Sequence, residues 1–235
     1  MDFDKIMQEL EALGTERTKK TYIRNGAQEP LFGVATGAMK PLAKKIKINQ
    51  ALAEQLYASG NYDAMYFAGI IADPKAMTHA DFDRWMDDAY FFMLSDYVVA
   101  VTLAEADIAE DVADRWIASG DELRMSGGWS CYCWLLGNRK DIEFDAEKIS
   151  GMLDHVLETI HDAPTRTKSA MNSFIYTVGI SYVPLHEKAM EIAKAVGPVE
   201  IKKDGKKSSF LQASETIQKE VNRGKIGFKR KYVRC

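Results

Sequence analysis

The side chains best placed for chemistry in this 235-residue chain are the lysines of MKPLAKKIK, residues 39–47. Lys40, Lys44 and Lys47 follow one another at i, i+4 and i+7, which places them on one face of a helix. Three ammonium groups on one face suit a row of phosphates. They suit a solvated helix surface equally well, and both interpretations stay open.

Two further basic segments could hold anions. In TRTKSAMN, Arg166 and Lys168 fall in the first turn of a predicted helix after Thr165, where free backbone amides also favour an anion. The tail GKIGFKRKYVRC combines Lys229 and Arg230 with aromatic rings, a pattern suited to phosphates and exposed bases. The alternative is that this tail is a flexible basic end.

The formal charge is unevenly distributed along the chain, although the net value is only −3. Residues 61–163 carry seven basic and twenty-one acidic side chains, whereas residues 201–235 carry eleven basic and three acidic ones. Basic ends around an acidic middle indicate a polyanionic partner that the ends contact. The alternative is a basic tail that only maintains solubility.

The stretch DELRMSGGWSCYCWLLGNRKD, residues 121–141, contains two of the three cysteines. Cys131 and Cys133 would lie about 200° apart around a helix axis, so they cannot share a metal ion. The odd cysteine number and the missing CxxC spacing indicate neither a disulfide framework nor a zinc ribbon. We therefore expect buried cysteines that act as small hydrophobic residues.

The same stretch contains a glycine pair. Gly127 and Gly128 together cost a helix about 2 kcal/mol relative to alanine. Close approach of a neighbouring helix would offset this cost, and a DNA backbone is the alternative. We expect Trp129 and Trp134 to anchor the core and Tyr132 to expose its polar tip.

Several function classes lose support because their motifs are absent. The chain has no GxGxxG, Walker loop, GxSxG or HExxH motif, and its four histidines lack ligand spacing. We expect no metal and no cofactor. The start of the chain has no apolar leader and no segment reaches membrane-spanning length, so we expect a cytoplasmic protein without membrane contact.

Helical periodicity continues along almost the whole chain. Apolar stripes predict a first helix closed by Gly14, a helix after the N-cap Asp145, and a helix ended by Gly197. Residues 199–210, with an Asp204-Gly205 turn, predict a small hairpin. A further ten helices are predicted near residues 16–24, 37–47, 50–59, 62–72, 80–93, 96–105, 107–119, 122–136, 166–180 and 211–222. Short helices of this kind close into a bundle or stack pairwise as an α-solenoid, and the apolar helix 122–136 favours the stack.

Three stretches, LFGVATGAMKPLAKKIK, DVADRWIASGDELRMSGGWSCYCWLL and KSAMNSFIYTVGISYVPLHEKAMEIAKAVG, resemble the DNA alkylation repair family of alkylpurine DNA glycosylases. The resemblance covers roughly residues 1–200 as a scattered pattern. It implies an all-α fold, an α-solenoid of HEAT-like antiparallel helix pairs that forms a curved superhelix with a basic concave face for duplex DNA. We therefore expect a repeat domain over 1–200, with 201–235 as a basic C-terminal helix and tail packed on it or extending from it.

The resemblance also implies a chemistry, the release of purines alkylated at N3 or N7, which needs an aspartate but no metal or cofactor. The family's Trp-Asp-x-x-Asp helix falls on SDYVVAVTLAE, where Tyr97 matches the tryptophan and the catalytic aspartate falls on Ala100 or Val101. Neither side chain can replace a carboxylate, so the chain is predicted to be a divergent member without the family's catalytic aspartate. Asp96 is the nearest candidate acid, and a helix N-cap after Ser95 is its alternative role.

Two other family positions carry over less directly. The family's arginine falls near Ser126 or Gly127, and Arg124 lies half a turn earlier. An aromatic position falls at Ser173 or Phe174, and Phe174 would preserve a ring there. The residues that we predict as DNA contacts through this resemblance are Tyr97, Arg124, Trp129 and Phe174.

The sequence therefore predicts a monomeric DNA-binding protein of this family whose partner is duplex DNA, alkylated or branched. Whether it excises alkylated purines stays open at this stage. The alternatives are a non-catalytic binder of damaged or branched DNA and a helical scaffold for protein partners, which the acidic middle of the chain would suit.

Overall fold

The computed structural model describes residues 2–203 and 206–234. The chain divides into two compact units, Met1–Ile108 with Arg234–Cys235, and Ala109–Val233. No helix within the described residues is long and apolar enough to cross a membrane.

The first unit is built from short helices joined by turns. Its α-helices are α1 (Phe3–Leu13), α2 (Glu16–Arg24), α3 (Thr36–Ile46), α4 (Gln50–Ala58), α5 (Tyr62–Ile71), α6 (His79–Asp87), α7 (Phe92–Leu94) and α8 (Ala100–Leu103). A π-helical turn, Ser95–Val99, joins α7 to α8. Helices adjacent in sequence pack together, as α4 does on α5.

The second unit contains longer helices and the two described strands. Its elements are α9 (Ala109–Ile117), α10 (Glu122–Leu136), α11 (Ala146–Thr159), α12 (Thr165–Ser181), α13 (His186–Val196), β1 (Val199–Lys203), β2 (Lys206–Leu211) and α14 (Ala213–Asn222). Short 3₁₀ turns, Asp141–Glu143 and Val183–Leu185, precede α11 and α13. Helix α10 packs against both α9 and α12, as its apolar circumference predicts.

The predicted hairpin is confirmed. Strands β1 and β2 pair antiparallel, with Val199 opposite Leu211 and Ile201 opposite Ser209. The predicted Asp204-Gly205 turn lies outside the described residues. The predicted domain boundary after residue 200 stays a prediction, and the hairpin and α14 lie within the second compact unit.

Several helix ends follow local signals in the sequence. The Asp145 side chain accepts hydrogen bonds from the amides of Glu147 and Lys148 at 2.9 and 3.4 Å, which confirms the predicted N-cap. Gly14 and Gly197 cap α1 and α13, also as predicted. The bounds of α10 coincide with the predicted helix 122–136.

The predicted helices at 80–93 and 96–105 have wrong boundaries. Helix α6 ends at Asp87, and a new helical segment begins at Phe92. Asp96 therefore lies inside that segment, so its alternative role as an N-cap is wrong. The sequence does not mark this helix boundary, because Phe91 and Phe92 fit a helix interior as well as a helix end.

The turn before α3 is held by a buried carboxylate. Asp63 accepts hydrogen bonds from the amides of Phe32, Gly33 and Val34 at 2.6, 2.9 and 2.8 Å. Burial raises the pKa of Asp63, while these three hydrogen bonds act to lower it. The turn that leads into α3 is thus fixed to the N-terminal end of α5.

The glycine-rich part of α10 is a packing seam. A Cβ at Gly128 would lie 2.7 Å from the Ala113 carbonyl oxygen and 2.8 Å from Cγ1 of Ile117, so the glycine allows close approach of α9. Helix packing is therefore confirmed at this position. The prediction that Tyr132 exposes its polar tip is wrong, because the side chain is buried and its hydroxyl donates to Asp114.

Candidate nucleic-acid interface

Two lysines of α3 and the lysine that caps its C-terminal end line one surface of the first unit. Lys40, Lys44 and Lys47 are exposed and line one surface hollow of about 310 Å³, together with Ala43, Ile48 and Ile70. We call this set the lysine face. None of its three ammonium groups forms an ion pair with another described residue. Its positive charge is therefore available to an external anion.

Lys47 adopts a backbone conformation that normally belongs to glycine. Its φ and ψ are 65° and −162°, and it is the only non-glycine described residue with positive φ. Gly197 has nearly the same values, 65° and −153°, at the corresponding end of α13. In both, the cap amide donates to the carbonyl four residues earlier. The first unit thus has a lysine at a position where glycine would adopt the same backbone conformation with less strain.

At the beginning of α12, one backbone amide that the sequence predicts to be free has an internal partner. The amide of Arg166 donates to Oε1 of Glu122 at 2.7 Å, and the Thr167 hydroxyl donates to the Glu122 carbonyl at 3.2 Å. The Arg166 amide is therefore already used by an internal carboxylate, so the expectation that it is free is wrong. The DNA contacts predicted for the Arg166 and Lys168 side chains stay predictions. The Arg166 and Lys168 side chains lie half-buried in this turn.

The basic tail is packed against the second unit up to residue 230. Lys229 Nζ forms an ion pair with Asp141 Oδ1 and donates to the Leu136 carbonyl, both at 2.7 Å. The Arg230 guanidinium lies 4.5 Å from the ring centroid of Trp134, which is half-buried rather than a fully buried anchor. The tail is therefore a packed segment in which Lys229 serves the fold and Arg230 remains exposed.

The chain returns to the first unit at Arg234. Its guanidinium donates to Oε2 of Glu105 at 3.0 and 2.6 Å and to the carbonyls of Gly69 and Ala72, both at 2.9 Å. Only 12% of the side chain is exposed. Arg234 therefore caps the C-terminal end of α5 and stabilises the first unit.

Asp96 and Tyr97 have opposite surroundings. Asp96 is 1% exposed, and its Oδ1 accepts a hydrogen bond from the Ser95 hydroxyl at 2.8 Å. Tyr97 is 43% exposed. The structure thus places the Tyr97 ring partly at the surface, next to the Phe92 ring, and the candidate catalytic carboxylate in the interior.

The other predicted contacts lie in the second unit. Trp129 and Phe174 are buried, with ring centroids 5.0 Å apart, so these rings pack α10 against α12. Arg124 is half-buried in the first turn of α10, where its amide donates to Asp121 Oδ1 at 2.9 Å. Burial gives little support to a DNA contact by Trp129 or Phe174, and all three roles stay predictions.

The two described cysteines, Cys131 and Cys133, both lie in α10. Cys131 is fully buried, which confirms the predicted role as a small hydrophobic residue, and burial raises the pKa of its thiol. Cys133 is half-buried. Across residues 2–203 and 206–234, no three histidine, cysteine or acidic side chains are arranged to hold a metal ion.

Sequence reasoning missed Ile48 and the conformation of Lys47. Ile48 is 55% exposed beside the lysines. The alternation KKIKI is visible in the sequence, but it also fits the amphipathic end of a helix. No local signal marks Lys47, because positive φ is typical of glycine.

A known protein family and two known proteins are similar to this chain over most of its length. The family model described as DNA alkylation repair enzyme matches residues 6–213. The protein Lmo0209 of Listeria monocytogenes serovar 1/2a is 31% identical over 95% of this chain and 99% of its own length. Lin0241 of Listeria innocua serovar 6a is 30% identical over 94% of this chain and 98% of its own length.

A solved structure shares the fold over the full length of both chains. It is 76% identical, with a TM-score of 0.97. That protein is described as one of a new family of proteins related to the HEAT-like repeat DNA glycosylases with affinity for branched DNA structures. The present chain therefore has the same HEAT-like helical repeat fold, as its sequence predicts.

Proposed function

Because the chain belongs to the family of DNA alkylation repair enzymes, we propose that it is a DNA-binding protein that prefers branched DNA and binds it through the lysine face of α3. The observation that carries this proposal is the set of three exposed lysines without an ion-pair partner among the described residues. The affinity described for the 76%-identical protein supports the choice of branched DNA.

The dimensions of the lysine face suit a phosphate backbone. Seven residues separate Lys40 from Lys47, a distance of roughly 10 Å along a helix axis. Successive phosphates of one strand advance by about 3.4 Å along the DNA axis. Lys40 and Lys47 thus span about three phosphate steps of one strand.

Base excision is the weaker candidate function. The positions that match the family's catalytic aspartate are Ala100 and Val101, and both are buried. Asp96, the nearest acid, is buried and hydrogen-bonded by Ser95. A carboxylate must lie beside the sugar to stabilise an oxocarbenium-like transition state. Glu105, the other acid of this segment, is part-buried and bound to the Arg234 guanidinium.

A protein-interaction scaffold is also less well supported, because part of the acidic middle of the chain is neutralised internally. Lys148 Nζ lies 3.0 Å from Glu110 Oε2 and 2.7 Å from Asp114 Oδ2. These carboxylates already have a cationic partner.

The test compares DNA structures of matched length. Fluorescence anisotropy would measure the affinity for a four-way junction, a forked duplex and a continuous duplex at two salt concentrations. We expect the junction to bind most tightly and every affinity to fall with salt. Equal affinity for junction and duplex, or affinity independent of salt, would contradict the proposal.

The same preparation tests excision. Release of 7-methylguanine and 3-methyladenine from methylated duplex DNA would be measured for the wild-type protein and Asp96→Asn. We expect release at the spontaneous rate for both. Release above that rate by the wild-type protein, lost in Asp96→Asn, would establish the glycosylase reaction.

A further inference from the structure

We infer that Ile48 is an apolar wedge that contacts the exposed base-pair face at a DNA branch point while the neighbouring lysines hold the phosphates. This inference rests on the proposed function and assigns a residue to the branch preference itself. The observation behind it is an isoleucine, 55% exposed, that lines the same hollow as the three lysines.

The backbone presents Ile48 on a fixed support. The preceding residue, Lys47, donates its amide to the Ala43 carbonyl at 2.8 Å and so closes α3. The following residue, Asn49, donates its amide to the Ile71 carbonyl at 2.8 Å. Only three residues thus connect α3 to α4, and hydrogen bonds hold both sides of Ile48.

The side chain of Asn49 adds a second support. Its Oδ1 accepts a hydrogen bond from the Leu52 amide at 3.1 Å and so caps α4. The turn is therefore anchored by the end of one helix and the beginning of the next. The backbone that carries Ile48 is thus held in place, so little backbone entropy is lost when its side chain meets a ligand.

The surroundings of Ile48 select the ligand. Ala43 and Ile70 line the hollow as apolar groups, and Lys40, Lys44 and Lys47 line it with positive charge. DNA combines anionic phosphates with apolar base faces, and isoleucine is among the side chains that proteins insert between base steps. An acidic protein would match the charges but offers no reason for an exposed aliphatic group in the same hollow as the lysines.

Branching provides the specificity. Inside a continuous duplex the base-pair faces are stacked, and a wedge must separate them at a cost of a few kcal/mol per step. At a branch point at least one step is interrupted, so this cost is reduced. An apolar wedge between phosphate-binding lysines therefore favours branched DNA, whereas lysines alone bind both forms.

Conformation of the DNA is the first readout. A four-way junction and a continuous duplex of equal length would each carry 2-aminopurine, at the branch point in the junction. We expect the wild-type protein to raise the fluorescence at the branch point, because an aliphatic side chain unstacks the probe without quenching it. We expect Ile48→Ala to leave that fluorescence unchanged.

Affinity is the second readout. We expect Ile48→Ala to weaken junction binding about tenfold through lost apolar burial, and to change duplex binding by less than about twofold. Ile48→Leu keeps most of the apolar volume and should retain most of the preference. Ile142→Ala is the matched control, because Ile142 is 90% exposed on the turn before α11 and should change neither affinity.

The outcomes separate the two proposals. Junction preference and a fluorescence response that both persist in Ile48→Ala would overturn the wedge and leave the proposed function intact. Equal weakening of junction and duplex binding by Ile48→Ala would also overturn it, since Ile48 would then be a general contact. A wild-type protein without junction preference would overturn both. Thermal unfolding of each variant would establish that the exposed substitution leaves the fold unchanged.

Discussion

Two basic segments of this chain look alike in sequence and differ in structure. The lysines of α3 are exposed and have no ion-pair partner among the described residues. In the C-terminal tail, Lys229 and Arg234 are bound to carboxylates and to carbonyls at helix ends. A run of basic residues therefore indicates a DNA contact only where the fold leaves the charges unpaired.

The largest effect on stability is expected from Arg234→Ala. The substitution removes the guanidinium donor from the Gly69 and Ala72 carbonyls and removes the ion pair with Glu105, so the free energy of unfolding should fall by about 3 kcal/mol. Urea denaturation would measure this change. DNA affinity below the unfolding transition should stay the same.

The control for this comparison is Arg223→Ala. Arg223 also forms an ion pair, with Glu220 at 2.7 Å, but half of its side chain is exposed. Its replacement should change the free energy of unfolding by less than about 0.5 kcal/mol. Similar losses in both variants would mean that Arg234 has no special structural role.

The second effect is expected on DNA affinity, with little change in stability. Replacing Lys40, Lys44 and Lys47 together by alanine should reduce the affinity for a four-way junction about 100-fold at low salt, with the unfolding transition nearly unchanged. Anisotropy titrations and thermal denaturation would measure the two quantities. If the triple variant bound DNA like the wild-type protein, the lysine face would be a solvated surface only.

A third, smaller effect is expected from Lys229→Met. Methionine keeps the apolar stem of the side chain but loses the bonds to Asp141 and to the end of α10, so stability should fall by about 1.5 kcal/mol. Lys231→Met, at an exposed neighbouring position, is the control and should be neutral. A loss of DNA affinity without a loss of stability in Lys229→Met would return this lysine to the DNA interface.

The smallest effect is expected from Lys47→Gly, which should stabilise the fold and weaken junction binding. Lys47→Gly removes an unfavourable φ, so the free energy of unfolding should rise by about 1 kcal/mol. Junction affinity should fall about fivefold because one phosphate contact is lost. A variant that loses stability, or keeps full affinity, would contradict the view that Lys47 is retained for binding.

Much of the fold follows from local patterns in the sequence. Helix α10, the hairpin and the caps at Gly14, Asp145 and Gly197 are determined by residues that lie close together in the chain. The seam at Gly128 follows from the cost of a glycine in a helix. Each of these features needs little knowledge of tertiary structure.

The candidate site depends on distant partners, which is why sequence reasoning described it only in part. Arg234 meets Glu105, and Arg166 donates its amide to Glu122, across large separations in the chain. The burial of Asp96 depends on a helix that begins earlier than the pattern indicates. No feature of the neighbouring sequence separates two kinds of lysine. Lys40, Lys44 and Lys47 have no ion-pair partner among the described residues, whereas Lys229 pairs with Asp141.

The salt dependence of junction binding tests the lysine face most directly. Plots of the logarithm of the association constant against the logarithm of the salt concentration would be compared for the wild-type protein and the triple lysine variant. Loss of three phosphate contacts, at roughly 0.9 per contact, should make the slope shallower by about 2.7. Two parallel lines would show that these lysines do not contact phosphates and would contradict the proposed interface.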